Sequence, residues 1–166
     1  MQATGLGWAE ARLRVCRGCS ALEALGRGAA ERGRPRPALC KLADLGPYAA
    51  PYADRFRAMT ADSDPWTRVE AAHALWAATG DAEAAVPVLT TAMRDLAEGS
   101  CLPVMLPALN HLARIGRAAR PAALLLRNVA AYDQRLRTHS GWRGFAQDED
   151  IRTADGELLG ASGLSV

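Results

Sequence analysis

Residues 36–46, RPALCKLADLG, return almost unchanged at residues 106–116 as LPALNHLARIG, and each string ends in a glycine, Gly46 and Gly116. A third glycine, Gly80, ends the alanine-rich string RVEAAHALWAATG and lies almost midway between the other two. The chain therefore repeats with a period of about 35 residues, which is typical of helical arrays. This repetition predicts a fold built from stacked copies of one unit.

The composition favours helices over strands. Alanine and leucine dominate the apolar residues, whereas valine and isoleucine, which favour strands, together number only nine. With 166 residues, 49% of them hydrophobic, the chain is long enough to bury the core of one compact domain. We therefore expect an all-α fold with almost no strand.

The formal net charge of +2 is unevenly distributed. Residues 1–36 carry a net charge of +4, residues 37–132 are balanced, and residues 133–166 carry −2. Of the 20 basic residues, 19 are arginines, which together with abundant alanine and glycine is typical of a GC-rich genome rather than of nucleic-acid binding. Because the repeat region is neutral, we expect no nucleic-acid partner.

The sequence favours a cytoplasmic protein without a membrane partner. No apolar run approaches the about 20 residues of a membrane-spanning helix, and residues 1–19 lack the apolar core of a signal peptide. The four cysteines have no regular spacing, so we expect free thiols rather than disulfides.

Each repeat is predicted to consist of a helix, a glycine stop, a short turn and a second helix. The three glycines stand where a left-handed residue ends the first helix, and a proline follows each of them where proline suits the first turn of the second. The predicted second helices are residues 51–60, 86–96 and 121–131. Apolar residues spaced three apart on the first helices are predicted to pack between layers: Leu39, Leu42 and Leu45, matched by Leu109, Leu112 and Ile115.

Two further positions mark the first helices. Asp64 is predicted as an N-cap and Pro65 as the first helical residue of the middle repeat. Pro107 predicts that the first helix of the third repeat is either kinked or starts late.

The two ends are less regular than the repeats. Residues 8–25 predict a helix that caps the array, and Trp142 is predicted to close the other end of the stack from an ordered loop. Residues 147–159 predict a last short helix that Gly156 interrupts. The predicted organisation is an N-terminal helix and Gly/Arg-rich linker, a repeat array and an irregular C-terminal tail: residues 1–35, 36–132 and 133–166.

The middle repeat, DSDPWTRVEAAHALWAATGD at residues 62–81, resembles the HEAT repeat in the short form named after phycobilisome lyases. The matching positions form an Asp-x-Asp-Pro, Arg and Ala-Ala-x-Ala-Leu pattern followed by Gly-Asp: Asp62, Asp64, Pro65, Arg68, Ala71, Ala72, Leu75, Gly80 and Asp81. Compared with the usual pattern of this repeat, one extra residue separates Leu75 from Gly80. The resemblance covers about residues 36–132 and implies a right-handed α-solenoid of about three antiparallel helix pairs.

The resemblance has two further implications. Asp62 or Asp64 would pair with Arg68 between neighbouring repeats, which is a structural role. The strings RVEAAHALW and SGWRGFAQDEDI also resemble the C-terminal part of longer actinobacterial HEAT-repeat proteins, which implies that residues 1–36 and the final GASGLSV depart from a longer relative.

Cys16 and Cys19 form a Cys-x-x-Cys pair, the most chemical-looking element of the chain. As a zinc half-site the pair needs two more ligands, yet the remaining candidates are scattered along the sequence: Cys40, Cys101, His73, His111 and His139. A thioredoxin-like redox motif would need a strand and helix context that the sequence does not predict. We therefore predict free thiols, no metal and no cofactor, and metal analysis would decide the question.

One arginine per repeat falls near the end of the second helix. Arg57, Arg94 and Arg127 follow their repeat glycines at similar separations along the chain. The resemblance implies that the second helices line a concave face, where such a ladder would bind carboxylates, phosphates or an acidic peptide. The favoured alternative is that each arginine stabilises the C-terminus of its own helix. Tyr52, ranked above Tyr48, flanks a turn and is predicted as an aromatic contact residue.

No group of residues in the sequence matches a catalytic motif, because the histidines lack an adjacent carboxylate or nucleophile motif and the Gly-rich stretches do not match phosphate loops. The sequence therefore predicts a noncatalytic interaction module or scaffold that binds an unidentified protein partner through Tyr52, Arg57, Arg94 and Arg127. Two alternatives stay open. One is a HEAT-like enzyme or nucleic-acid-binding protein of the DNA-glycosylase or lyase type, and the other is a truncated relic without independent function.

Overall fold

The computed structural model describes residues 35–98, 100–127 and 142–164, and every regular element in these ranges is helical. The α-helices are α1 (Arg36–Asp44), α2 (Ala53–Met59), α3 (Pro65–Thr79), α4 (Ala82–Ala92), α5 (Met105–Ile115), α6 (Arg120–Leu126) and α7 (Trp142–Ala161). Three short 3₁₀ helices lie between them, at Gly46–Tyr52, Arg94–Glu98 and Gly116–Ala119. The prediction of an all-α fold is confirmed for these ranges.

Several predictions fall outside the described residues, namely those of an N-terminal capping helix with Cys16 and Cys19, and of a loop after Tyr132 that includes His139. Among the helices that the structure does describe, none has the length and apolarity needed to cross a membrane.

All three repeat glycines have positive φ, and Gly80 is left-handed as predicted, whereas a ψ angle of −130° places Gly116 outside the left-handed helical region. Their φ angles are +54° at Gly46, +75° at Gly80 and +70° at Gly116, in the half of φ space that a Cβ atom disfavours. Gly80 ends α3, and its N–H donates to the carbonyl of Trp76 at 2.7 Å. Each glycine thus turns the chain from a first helix toward the second.

Aspartates cap both helices of the middle repeat. Asp64 accepts hydrogen bonds from the backbone N–H of Thr67 at 2.9 Å and from its hydroxyl at 2.7 Å, so α3 begins at Pro65 as predicted. Asp81 accepts from the backbone N–H of Ala84 at 3.0 Å in the same way. Because of this cap, α4 begins at Ala82 rather than at residue 86.

The predicted role of Pro87 as the start of α4 is therefore wrong, since Pro87 lies inside the helix. A proline there removes one backbone hydrogen bond, and the burial of Val86 and Leu89 offsets that loss. In the first repeat Pro51 lies in the 3₁₀ helix before α2, which begins at Ala53, whereas in the third repeat α6 begins at Arg120 and holds Pro121 in its first turn as predicted. The late start predicted by Pro107 is observed, because α5 begins at Met105 and holds Pro107 in its first turn.

Helix α3 lies at the centre of the fold and divides the core into two apolar clusters. Leu75 faces the first cluster, which also contains Leu39, Leu42 and Phe56 from α1 and α2. Val69 and Ala72 face the second, which is built from α4, α5, α6 and α7. Four of the six residues predicted to pack between layers are fully buried, whereas Leu45 and Ile115, each in the turn next to a glycine, are only partly covered.

The C-terminal segment is a 20-residue helix rather than the predicted loop and interrupted helix. Helix α7 packs against α5 and α6 and buries Ile151, Leu158 and Leu159. Gly156 costs this helix about 1 kcal/mol relative to alanine, and the burial of each large apolar residue contributes about 1.5–3 kcal/mol in the opposite direction. Over residues 142–161 the tail is thus regular, and it joins the core of the third repeat.

Candidate functional site

Three ionisable side chains meet between the first helices of the second and third repeats. Glu70 and His73 are three residues apart on α3, a spacing that places them on one face of a helix. His111 approaches them from α5, and its imidazole stacks on that of His73 with 3.8 Å between ring centroids and 8° between ring planes. The Oε2 atom of Glu70 lies 3.5 Å from the Nε2 atom of His111. We call these residues the Glu70–His73–His111 cluster.

The cluster is almost completely shielded from solvent. Glu70 and His73 are 6% and 5% exposed, and the side chain of His111 is 12% exposed. Among the described residues neither Nε2 of His73 nor Nδ1 of His111 has a hydrogen-bond partner, and the 3.5 Å contact of Nε2 of His111 with Glu70 falls outside hydrogen-bond geometry. A buried polar atom without a partner costs roughly 1–3 kcal/mol. These unsatisfied atoms destabilise the fold, so stability does not explain why they are buried together. The cluster is therefore a candidate functional site.

The surroundings of His73 favour its neutral form. Burial, followed by electrostatic repulsion from His111 and Arg114, lowers the pKa of His73 from 6.5 to about 4. The ring also lies against the indole of Trp76, with 6.0 Å between ring centroids and 29° between planes. At neutral pH His73 is therefore an uncharged imidazole with a lone pair available on one ring nitrogen.

Glu70 is the negative partner in the cluster. Burial raises the pKa of Glu70, but the neighbouring His111 imidazole and Cys40 thiol both favour the carboxylate and outweigh burial, so the pKa is lowered. Burial, followed by the charge of Glu70, raises the pKa of the Cys40 thiol on α1. A neutral thiol and a carboxylate therefore face each other beside the two imidazoles.

The cluster has the donor atoms of a metal site. One possible ligand atom from each of the three residues lies within 4.8 Å of the other two. Imidazole nitrogens and carboxylate oxygens are ligands that zinc and related divalent metals take.

Reasoning from sequence missed this cluster because His73 and His111 are far apart along the chain, in different repeats. A signal does exist in the repeat itself. His73 lies shortly before Gly80 and His111 shortly before Gly116, so the two occupy nearly equivalent positions in neighbouring repeats.

The predicted arginine ladder does not form three equivalent positions. Arg57 on α2 lies 3.0 Å from the carboxylate of Asp54 and 3.6 Å from that of Asp81, which caps α4. Arg57 thus links two repeats, as expected of a structural residue. Arg94 lies in the 3₁₀ helix after α4 and Arg127 directly follows α6, and both are exposed and form no ion pair within the described ranges.

Two other predicted contacts differ from the structure. Tyr52 is half-buried against Phe56, with ring centroids 6.4 Å apart, whereas Tyr48 is 77% exposed, so their expected order of exposure is reversed. Arg68 donates to the backbone carbonyls of Asp62 and Ser63 at 2.8 and 2.9 Å. Arg68 therefore stabilises the turn before α3 through these two hydrogen bonds, whereas pairing with the carboxylate of Asp62 or Asp64 was predicted.

No protein-family model, curated protein or solved structure matches the chain. The resemblance to HEAT-like repeats therefore depends on the pattern of residues 62–81 and on the glycine period.

Proposed function

We propose that the chain is a noncatalytic protein-interaction module made of HEAT-like helix pairs, and that its partner binds across the second helices α2, α4 and α6. The observation that carries the proposal is the exposed positive charge of Arg94 and Arg127, which forms no ion pair with any residue that the structure describes. An arginine that only stabilised its own fold would gain from an intramolecular carboxylate, as Arg57 does.

The exposed charge is most strongly positive around the third of these helices. Residues 116–127 carry the exposed Arg117, Arg120 and Arg127 and no acidic residue, whereas α2 and residues 82–96, which include α4, carry exposed residues of both signs. A surface of this sign attracts an acidic segment and accelerates its association. The repeat region as a whole is neutral, so this positive surface reflects the distribution of charge and not the total.

Apolar surface accompanies the arginines at one end of this face. Leu124 and Leu125 on α6 are 45% and 41% exposed and lie just before Arg127 in the sequence. Interfaces between proteins combine such apolar contacts with a charged rim. The partner is therefore an acidic segment that also carries apolar side chains.

Charge reversal at Arg94 and Arg127 should abolish this recognition. We expect the double variant R94E/R127E to bind a fluorescently labelled peptide of alternating Glu and Leu at least about tenfold more weakly than the wild type, because it replaces attraction with repulsion at the interface. Fluorescence anisotropy at two salt concentrations measures the affinity, and the wild-type affinity should fall as salt rises.

The matched control is K41E/R114E, which changes the charge equally at exposed positions on the first helices α1 and α5. It should bind the peptide within about twofold of the wild type. Equal losses in both double variants would refute the proposed surface. If the wild type ignores the peptide but binds a DNA duplex in a salt-dependent way, the nucleic-acid alternative is favoured instead.

A further inference from the structure

We infer that Glu70, His73 and His111 bind one divalent transition-metal ion of the zinc class between α3 and α5. This inference is independent of the proposed interaction surface, since the cluster lies on the first helices. Its ligands are one carboxylate oxygen and two imidazole nitrogens, a set that binds zinc with a coordination position left open.

The geometry of the cluster is close to that of a binding site. Its ligand atoms lie within 4.8 Å of one another, and bonds of about 2.0–2.2 Å to a shared ion would bring them to roughly 3.3–3.5 Å. The distances between the ligand atoms therefore need to shorten by little more than about 1 Å. Stacked rings direct their in-plane lone pairs parallel to each other, so one imidazole must also turn about χ2.

A second, independent observation points to a ligand. Nε2 of His73 and Nδ1 of His111 are buried without a hydrogen-bond partner among the described residues, and the 3.5 Å contact of Nε2 of His111 with Glu70 falls outside hydrogen-bond geometry. A bound cation would take a lone pair from each ring, and the carboxylate of Glu70 would offset part of its charge. The ion thus satisfies one buried ring nitrogen of each histidine.

Cys40 lies beside this site on the neighbouring helix α1. Its thiol and the carboxylate of Glu70 influence each other's pKa, but Cys40 is exposed and is not among the described residues whose ligand atoms lie within 4.8 Å of one another. We therefore assign the metal three protein ligands, none of them a cysteine.

Titration of the full-length, chelator-treated chain with Co²⁺ tests the site. We expect one equivalent to bind with the visible d–d absorption of cobalt in a low-symmetry nitrogen and oxygen environment, and Zn²⁺ to displace it. The variant H111Q should bind Co²⁺ at least about 100-fold more weakly. The variant C40S should retain binding and the same spectrum, because no sulfur contacts the metal.

The decisive control is C16S/C19S, which removes the other candidate metal-binding motif of the chain. Full binding in C16S/C19S together with loss in H111Q supports the site. Loss in C16S/C19S with full binding in H111Q, or no stoichiometric binding by the wild type, overturns it.

A measurement on the wild type removes any dependence on variants that fold poorly. The ring ¹⁵N resonances of His73 and His111 should both shift when Zn²⁺ is added to isotopically labelled protein. A stoichiometric Zn²⁺ complex in which these resonances do not move would overturn the inference.

Discussion

Acidification from pH 7 to pH 4.5 in the presence of a chelator should destabilise the wild-type chain by about 2–3 kcal/mol more than the variant H73Q. The reason is the low pKa of His73, about 4 in the folded chain against an ordinary 6.5. Between these values the unfolded state takes up a proton that the folded state does not, so stability is complete above about pH 6.5 and is lost as the pH falls toward 4.

The charged and polar groups around His73 influence how much stability is lost on acidification. His111 and Arg114 oppose its protonation, whereas Glu70 favours it. The lowered pKa of Glu70 adds a loss of the same sign below its ordinary value of 4.5, because the folded state prefers the carboxylate. Denaturant unfolding of wild type, H73Q and R114Q across this pH range is the measurement. R114Q should fall between the other two, and identical pH dependence in all three would contradict the assigned environment of His73.

Replacing Leu75 by alanine should cost about 3 kcal/mol of unfolding free energy, within the usual 2–5 kcal/mol for a buried leucine. Leu75 is fully buried on α3 and packs in the cluster that joins α1, α2 and α3. The substitution leaves a cavity, and the packed helices around Leu75 limit how far that cavity can collapse. Chemical denaturation monitored by circular dichroism gives the difference directly.

Leu124 provides a control with the same change of side chain. It is 45% exposed on α6, so Leu124→Ala should cost less than about 1 kcal/mol. Comparable losses in the two variants would show that α3 does not occupy the centre of the core.

Local features of the fold were predictable because each depends on a few neighbouring residues. Gly46, Gly80 and Gly116 adopt positive φ because only glycine does so without strain. Asp64 caps α3 because its carboxylate reaches an N–H three residues ahead. Leu39, Leu42, Leu109 and Leu112 are buried because their spacing places them on one face of a helix.

Features that depend on tertiary contacts escaped prediction. Gly156 would interrupt an isolated helix, but packing against α5 holds α7 together through it. The predicted start of α4 at residue 86 is wrong because the side chain of Asp81 caps the helix at Ala82, and Pro87 lies inside it. The Glu70–His73–His111 cluster was not predicted because its residues come from two repeats and meet only in the folded chain, so no short motif contains them.

The close contact of His73 with His111 is the central structural claim, since the metal site requires it and His111 contributes, after burial, to the acid sensitivity of His73. Nuclear Overhauser spectroscopy on protein labelled only at histidine tests it most directly, because the chain has just three histidines and single substitutions assign their signals. With ring centroids 3.8 Å apart, strong cross-peaks between the ring protons of His73 and His111 are predicted for the metal-free chain. A folded protein whose His73 and His111 ring protons show no cross-peak would contradict the account.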